Sequence, residues 1–169
     1  MLLERGSTLA SAASTNPSGQ VDGIQCAPVE QLAYHVHAHL QVFVDGQPRV
    51  LPAGIGIPQP VSQQTPEGPF VGSGRCFYWM HTHTTDGIIH IESPTARIYS
   101  LGTFFDIWGE PLSAHEVASA TGTVTAYLNG KLWTKNPRAI PLESHFVIQL
   151  DVGKPPVPYG KVSFGNTGL

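Results

Sequence analysis

The sequence predicts a mostly β fold, a small β-sandwich or barrel with one or two short helices. Three observations point there. Tyr34–Val44 (YHVHAHLQVFV) alternates with a two-residue period and runs directly into Asp45-Gly46, a strong hairpin turn signal. A second signal of the same kind, Asn129-Gly130, follows the strand-like run 123–128. Charged residues make up only 12% of the chain, about half the usual ~25%, beside 18 glycines and 15 prolines. That balance leaves little for long solvated helices and much for turns.

Taken in order, residues 1–24 read as a disordered Ser/Ala/Thr-rich leader or linker, or as what remains after a signal or anchor is removed. The first twenty residues lack the apolar centre of a signal peptide, so the expected export signal is not in this chain. Residues 25–164 read as a single His-rich β domain and 165–169 as a tail. Residues 49–51 begin the return strand after Asp45-Gly46. Residues 52–75, with five prolines, read as loop. Residues 77–83 (FYWMHTH) are aromatic-rich and strand-like, with 87–92 (GIIHIE) as partner and 97–100 as a further short strand. One short helix is expected over FFDIWG, capped by Thr103. A second is expected after Ser113, which with Glu116 gives the capping-box spacing. Residues 146–152 close the strand set. The runs VFVDGQPRVLP (42–52) and AYLNGKLWTKNPRAIP (126–141) resemble each other, through duplication or through the limited chemistry of tight turns.

Six of the eight histidines fall in two groups. His35, His37 and His39 occupy positions i, i+2 and i+4 of a strand and share one face. Val36, Ala38, Leu40 and Val42 share the other, which is a good core face. The second group is His81-Thr-His83 followed by His90 across Thr84-Thr85-Asp86-Gly87. A two-residue loop there pairs His83 with His90 and His81 with Glu92. A four-residue loop pairs His83 with Ile88 and His81 with His90. Either register puts His81, His83, His90 and Glu92 on one face. Directly opposed Cβ atoms are about 4.5–5.5 Å apart, close enough for two imidazoles to share an ion at ~2.0–2.1 Å per bond.

The competing reading is a polar groove in which the histidines bond one another or the backbone. Six such imidazoles without an ion or water would carry a heavy desolvation cost. The expected ligands are therefore His81, His83 and His90, completed by one or two of His35, His37 and His39, with room for more than one ion. Imidazole-rich sites suit copper and zinc first and iron next. Glu92 is a candidate ligand, an orienting partner, or, if the protein is a metalloenzyme with three His ligands and a metal-bound water, its general base. A third reading makes the metal a staple for a structural or interaction domain. Asp86 is expected to serve the turn and Met80 the core. His115 and His145 stand alone and are expected to be structural or exposed. Trp79, Trp108 and Trp133 read as core, and Phe104, Phe105 and Trp108 as the inner face of a short helix.

The net charge of −3, without a basic run, argues against nucleic acid as a partner. No apolar run is long enough to span a membrane. Cys26 and Cys76 are too far apart for a CxxC motif. They read either as one disulfide, which implies an oxidising compartment, or as two unrelated buried thiols. Nothing in the sequence specifies a homodimer interface, although two-sided β domains often pair.

Three segments, YHVHAHL (34–40), CFYWMHTHTTDGIIHIESP (76–94) and LGTFFDIWG (101–109), resemble an uncharacterised family of bacterial exported or anchored proteins. The resemblance implies an extracytoplasmic location, periplasmic or secreted, and no substrate. A looser similarity is to the cupins, in which His81-Thr-His83 matches the HxH. The following carboxylate falls on Asp86, and the third histidine comes sooner than in that family. The HxH plus a third strand histidine is also partly similar to carbonic anhydrases.

Overall fold

Alternation in one long strand organises the molecule. The structure, a computed structural model, describes residues 6–12 and 19–164. In chain order the strands are β1 (Ser7–Thr8), β2 (Cys26–Ala27), β3 (Tyr34–Val44), β4 (Gln47–Val50), β5 (Val61–Thr65), β6 (Gly68–Ser73), β7 (Phe77–Tyr78), β8 (Met80–His81) and β9 (Ile88–Ser93). They continue with β10 (Tyr99–Ser100), helix α1 (Leu101–Trp108), β11 (Glu116–Val117), β12 (Ala120–Thr121), β13 (Val124–Leu128), β14 (Lys131–Trp133), β15 (Pro141–Leu142) and β16 (Val147–Val152). Among the described residues the fold is mostly β with a single α-helix, as expected.

The main sheet has eight strands in the path β1-β4-β3-β16-β13-β14, with β9 paired to β3 and β8 to β9, and it does not close into a barrel. On one edge β3 pairs in parallel with β16, and its other edge carries β9 along the first half and β4 along the second. The even-numbered residues of β3 meet the core, where Ala38, Leu40 and Val42 are essentially fully buried. They join Ile89 and Ile91 of β9, Ile148 and Leu150 of β16, and Phe104, Phe105 and Trp108 of α1 in one apolar cluster.

Both tight hairpins form where the turn dipeptides predict them. Asp45 (φ 49°) and Gly46 (φ 76°) match Asn129 (φ 50°) and Gly130 (φ 78°) closely, the backbone that suits two-residue hairpins. The likeness of the two segments ends there. Pro48-Arg49 lie within β4, whereas Pro137-Arg138 form a short 3-10 turn.

Several expectations give way to the structure. The leader is not simply disordered: β1 adds in parallel to β4, Leu9 is buried, and the Trp108 indole N–H donates to the Ser11 carbonyl. Val21 and Ile24 bridge each other and Ile24 is fully buried, so apolar side chains here find a core that composition averaging hides. Residues 1–5, 13–18 and the 165–169 tail lie outside the described residues. The Pro-rich 52–75 stretch contains the β5/β6 hairpin, whose prolines do no harm in an exposed ribbon of two strands. Ser100, not Thr103, caps α1: its Oγ accepts from the Thr103 N–H. No helix follows Ser113. Its Oγ accepts from the His115 N–H two residues on, and the chain turns into the β11/β12 ribbon. The local turn takes the hydroxyl that a capping box would need. Trp133 and Trp79 are only part-buried, unlike Trp108.

Residues 52–57 cover the outer edge of β8. Gly54 N–H and Thr82 N–H donate to Thr82 and Ile55 carbonyls respectively, and Tyr78 N–H donates to Gly56. Gly56 sits at φ +74°, and a Cβ there would come within 2.2 Å of the Met80 carbonyl oxygen. Gly23 has a similar φ of +78° with open space around it. Gly56→Ala should therefore cost clearly more than Gly23→Ala, about 3 kcal/mol against about 1 kcal/mol. Urea unfolding of the two variants measures the difference, and equal costs would show that β8 yields to the added methyl.

Candidate metal centre

The register of three strands assembles the histidines. Between β3 and β9, His35 stands opposite Glu92, His37 opposite His90 and His39 opposite Ile88. Between β8 and β9, His81 stands opposite His90, which is the pairing of the four-residue loop. Asp86 serves that loop, its Oδ1 accepting from the Ile88 N–H. His90 and Glu92 thus lie in the middle, with His35 and His37 on one side and His81 on the other. His83 follows β8 and is clamped to β6: Val71 N–H donates to the His83 carbonyl, and His83 Nδ1–H donates to the Val71 carbonyl at 2.6 Å. A further ligand type comes from outside the sheet. Glu30 lies four residues after Cys26, and the Cys26–Cys76 disulfide ties this segment to the start of β7.

Two groups of metal-ligating side chains result, His35/His37/His90 and Glu30/His81/His83/Glu92. Within each group one ligand atom per residue lies within 4.8 Å of all the others. His37 Nε2 is 3.0 Å from both His35 Nε2 and His90 Nδ1. Glu92 Oε1 is 3.1 Å from His35 Nε2 and 3.5 Å from His90 Nδ1, while its Oε2 is 3.7 Å from His81 Nε2. His83 Nε2 is 3.3 Å from Glu30 Oε1. Two ligands of one ion with bonds of ~2.0–2.1 Å are at most ~4.2 Å apart, so every one of these contacts is compatible with a shared ion.

Protonation follows from the backbone. His81 Nδ1 lies 2.9 Å from the Tyr78 carbonyl, which only accepts, so Nδ1 carries the proton and Nε2 a lone pair. That Nε2 is fully buried, has no hydrogen-bond partner, and faces Glu92 Oε2, which is also buried and unpartnered. His83 is fixed in the same tautomer by Val71 and aims its Nε2 lone pair at the Glu30 carboxyl. Lone pairs thus converge on oxygens that also have only lone pairs to offer. A ring nitrogen bound to a backbone carbonyl behind and left bare in front is the usual posture of a ligating histidine.

The site resists protonation as a remedy. Burial, then the neighbouring His83, lowers His81 to about 3. Burial, then His83 and His35, lowers His90 to about 3. Burial, then His90 and His35, lowers His37 to about 4. Burial, then the nearby Glu92, raises Glu30 above the ordinary carboxylate range. Neutral imidazole is the form that ligates.

Of the six histidines singled out from the sequence, the structure brings together His35, His37, His81, His83 and His90. His39 is set apart: it faces the same side of β3 but its Nε2 lies 2.9 Å from the Asp86 carbonyl, opposite Ile88. His81 and His83 are grouped with two carboxylates, whereas His90 is grouped with His35 and His37. Glu30 went unnoticed because nothing local marks it. The Cys26–Cys76 bond and the pairing of β2 with β7 carry it towards His83. His115 is exposed, and His145 is exposed and stacks on Phe164. Among the described residues no helix is long and apolar enough to cross a membrane. Compared with family models, curated proteins and solved structures, the chain matches none.

The depressed histidines make the ion-free protein acid-sensitive. Unfolded histidines titrate near ~6.5, so below that pH the unfolded chain binds protons that folded His37, His81 and His90 refuse. Stability is therefore fully present above about 6.5 and falls as pH drops towards the folded values of about 3 and 4, by up to ~1.4 kcal/mol per pH unit for each histidine. Glu30, raised by burial and by the nearby Glu92, works in the opposite sense, but it is one group against three. Urea midpoints measured in chelator should decline from about pH 6.5 downwards. A flat profile to about pH 5 would show that the three imidazoles are not buried neutral.

Proposed function

We propose that the protein is an exported transition-metal-binding domain, taking copper or zinc first and iron next, on Glu30, His81, His83 and Glu92 and the adjoining His35, His37 and His90. The observation that carries the reading is the buried pair His81 Nε2 and Glu92 Oε2. The two are 3.7 Å apart and partnerless, with the imidazole held in the tautomer that cannot donate to the carboxylate. An unsatisfied buried polar atom costs about 1–3 kcal/mol, more if charged, and a cation between the two atoms removes both penalties together. Imidazole nitrogens suit zinc, copper and iron, and carboxylate oxygens also ligate zinc.

Binding or handling of the ion fits better than hydrolysis. Glu92 is 3% exposed and closed in by His35, His81 and His90, which suits a ligand more than a base that must reach water. Export is supported by the Cys26–Cys76 disulfide, since such bonds persist in oxidising compartments.

Mass-spectrometric metal analysis of protein purified without chelator or a His-tag tests the reading. Metal is expected in the native chain, and clearly less of it in the His81→Ala/His83→Ala double variant, which loses two of the four donors grouped with Glu92. His145→Ala should leave uptake unchanged. Full metal retention in the double variant would refute this ligand set.

Reduction offers a separate check. Glu30 depends on the cystine for its place, so a Cys26→Ser/Cys76→Ser variant that remains folded should bind Zn(II) about tenfold or more weakly, in line with losing an outer partner or one ligand. Unchanged affinity by competition with a chromophoric chelator would remove Glu30 from the ligand set.

A further inference from the structure

We infer that the site holds two metal ions side by side, bridged by the Glu92 carboxylate. The inference rests on the metal-binding reading and specifies its number and architecture.

The donor count is the first argument. Seven residues converge, and Glu92 offers both oxygens to different neighbours. A zinc-like ion takes four protein ligands in a closed site, so one ion leaves three of the seven donor residues unused. Division into two sets uses all of them. His35 Nε2, His37 Nε2, His90 Nδ1 and Glu92 Oε1 make one set of four. Glu30 Oε1, His81 Nε2, His83 Nε2 and Glu92 Oε2 make the other.

Direction is the second argument. His90 Nδ1 contacts His37 Nε2 and Glu92 Oε1, whereas His81 Nε2 looks at Glu92 Oε2. A single ion placed for His81 and His83 is on the wrong side of the carboxylate for His90. The two sets are nonetheless contiguous. The His90 ring centroid is 4.5 Å from that of His83 and 5.8 Å from that of His81, whose ring is parallel to it within 2°. Ions in the two sets would be close enough to interact through one carboxylate, as in two-metal sites about 3.5–4 Å across.

The strands explain why Glu92 is the bridge. On the shared face of β9 it follows His90, across from His35 on β3, while His81 approaches from β8 on the other side. It is therefore the one carboxylate on the face that has an imidazole on either flank, and it is almost wholly buried. Histidines alone on both sides would leave the two charges to repel each other without an anion between them.

Equilibrium dialysis of the full chain against Cu(II), and separately Zn(II), followed by metal analysis, tests the pair. Two ions per chain are expected. The His35→Ala/His37→Ala variant and the Glu30→Gln/His83→Ala variant should each retain one. Electron paramagnetic resonance of the Cu(II)-loaded native chain should show a coupled pair, with reduced intensity at the normal field position or a half-field line. Either double variant should give an ordinary single-ion spectrum. One ion per chain in the native protein, or two without magnetic coupling, would overturn the bridged pair while leaving metal binding in place. No uptake of either ion would overturn the metal-binding reading itself.

Discussion

The histidine face depends on the pairing of β3 with β9. That pairing puts His35 across from Glu92 and His37 across from His90. The side-chain period of a strand is two, so a slip of one residue would turn all of these into the core and bring Val36, Ala38 and Leu40 out to solvent. The apolar cluster therefore sets the geometry of the polar face. Ala38 and Leu40 on β3 and Ile89 and Ile91 on β9 lock the register from one side, and the histidines and Glu92 inherit it on the other. β16 takes the other edge of β3 from His39 onwards, so the strand is held on one edge by β9 through its histidines and on the other by β16 beyond them.

Rigidity on this face has a physical reason. Burying imidazoles such as His37 and His81 beside Glu92 costs them solvation. Here the backbone keeps them together. Tyr78 and Val71 carbonyls hold His81 and His83 by their far nitrogens, and residues 52–57 brace the outer edge of β8. The arrangement maintains poorly solvated donors in place at the expense of stability, a pattern met where a local rule is broken for a site.

Much of this was legible in the sequence, and the reasons for what was not are specific. β3 was readable to its end residues because its eleven positions alternate except at Phe43 and an Asp-Gly turn follows. The placing of His81 and His90 on one face survived an ambiguous loop because both registers share parity. His39 stands apart from the two groups for the same cause: strand parity says which face a residue takes, not how far along it the neighbouring strand brings its own ligands. Ile88, not a histidine or carboxylate, is what β9 sets opposite His39. Glu30, the packed leader segment around Leu9 and the β5/β6 ribbon were hidden for another reason. Each is placed by a long-range contact (the cystine, β4, and Val71 against His83) that no window of sequence contains. Ser113 shows the reverse failure, a correct local motif captured by a competing local bond.

The Glu30 arm has one more consequence. Six of the seven donors are on, or clamped directly to, sheet strands, and the seventh is on a connecting segment, one-third exposed, anchored by a cystine. If the site holds an ion as proposed, Glu30 is the donor of the seven that can leave the set without moving a donor strand. Displacing its segment would then weaken the site by one ligand while the sheet-held donors keep their geometry.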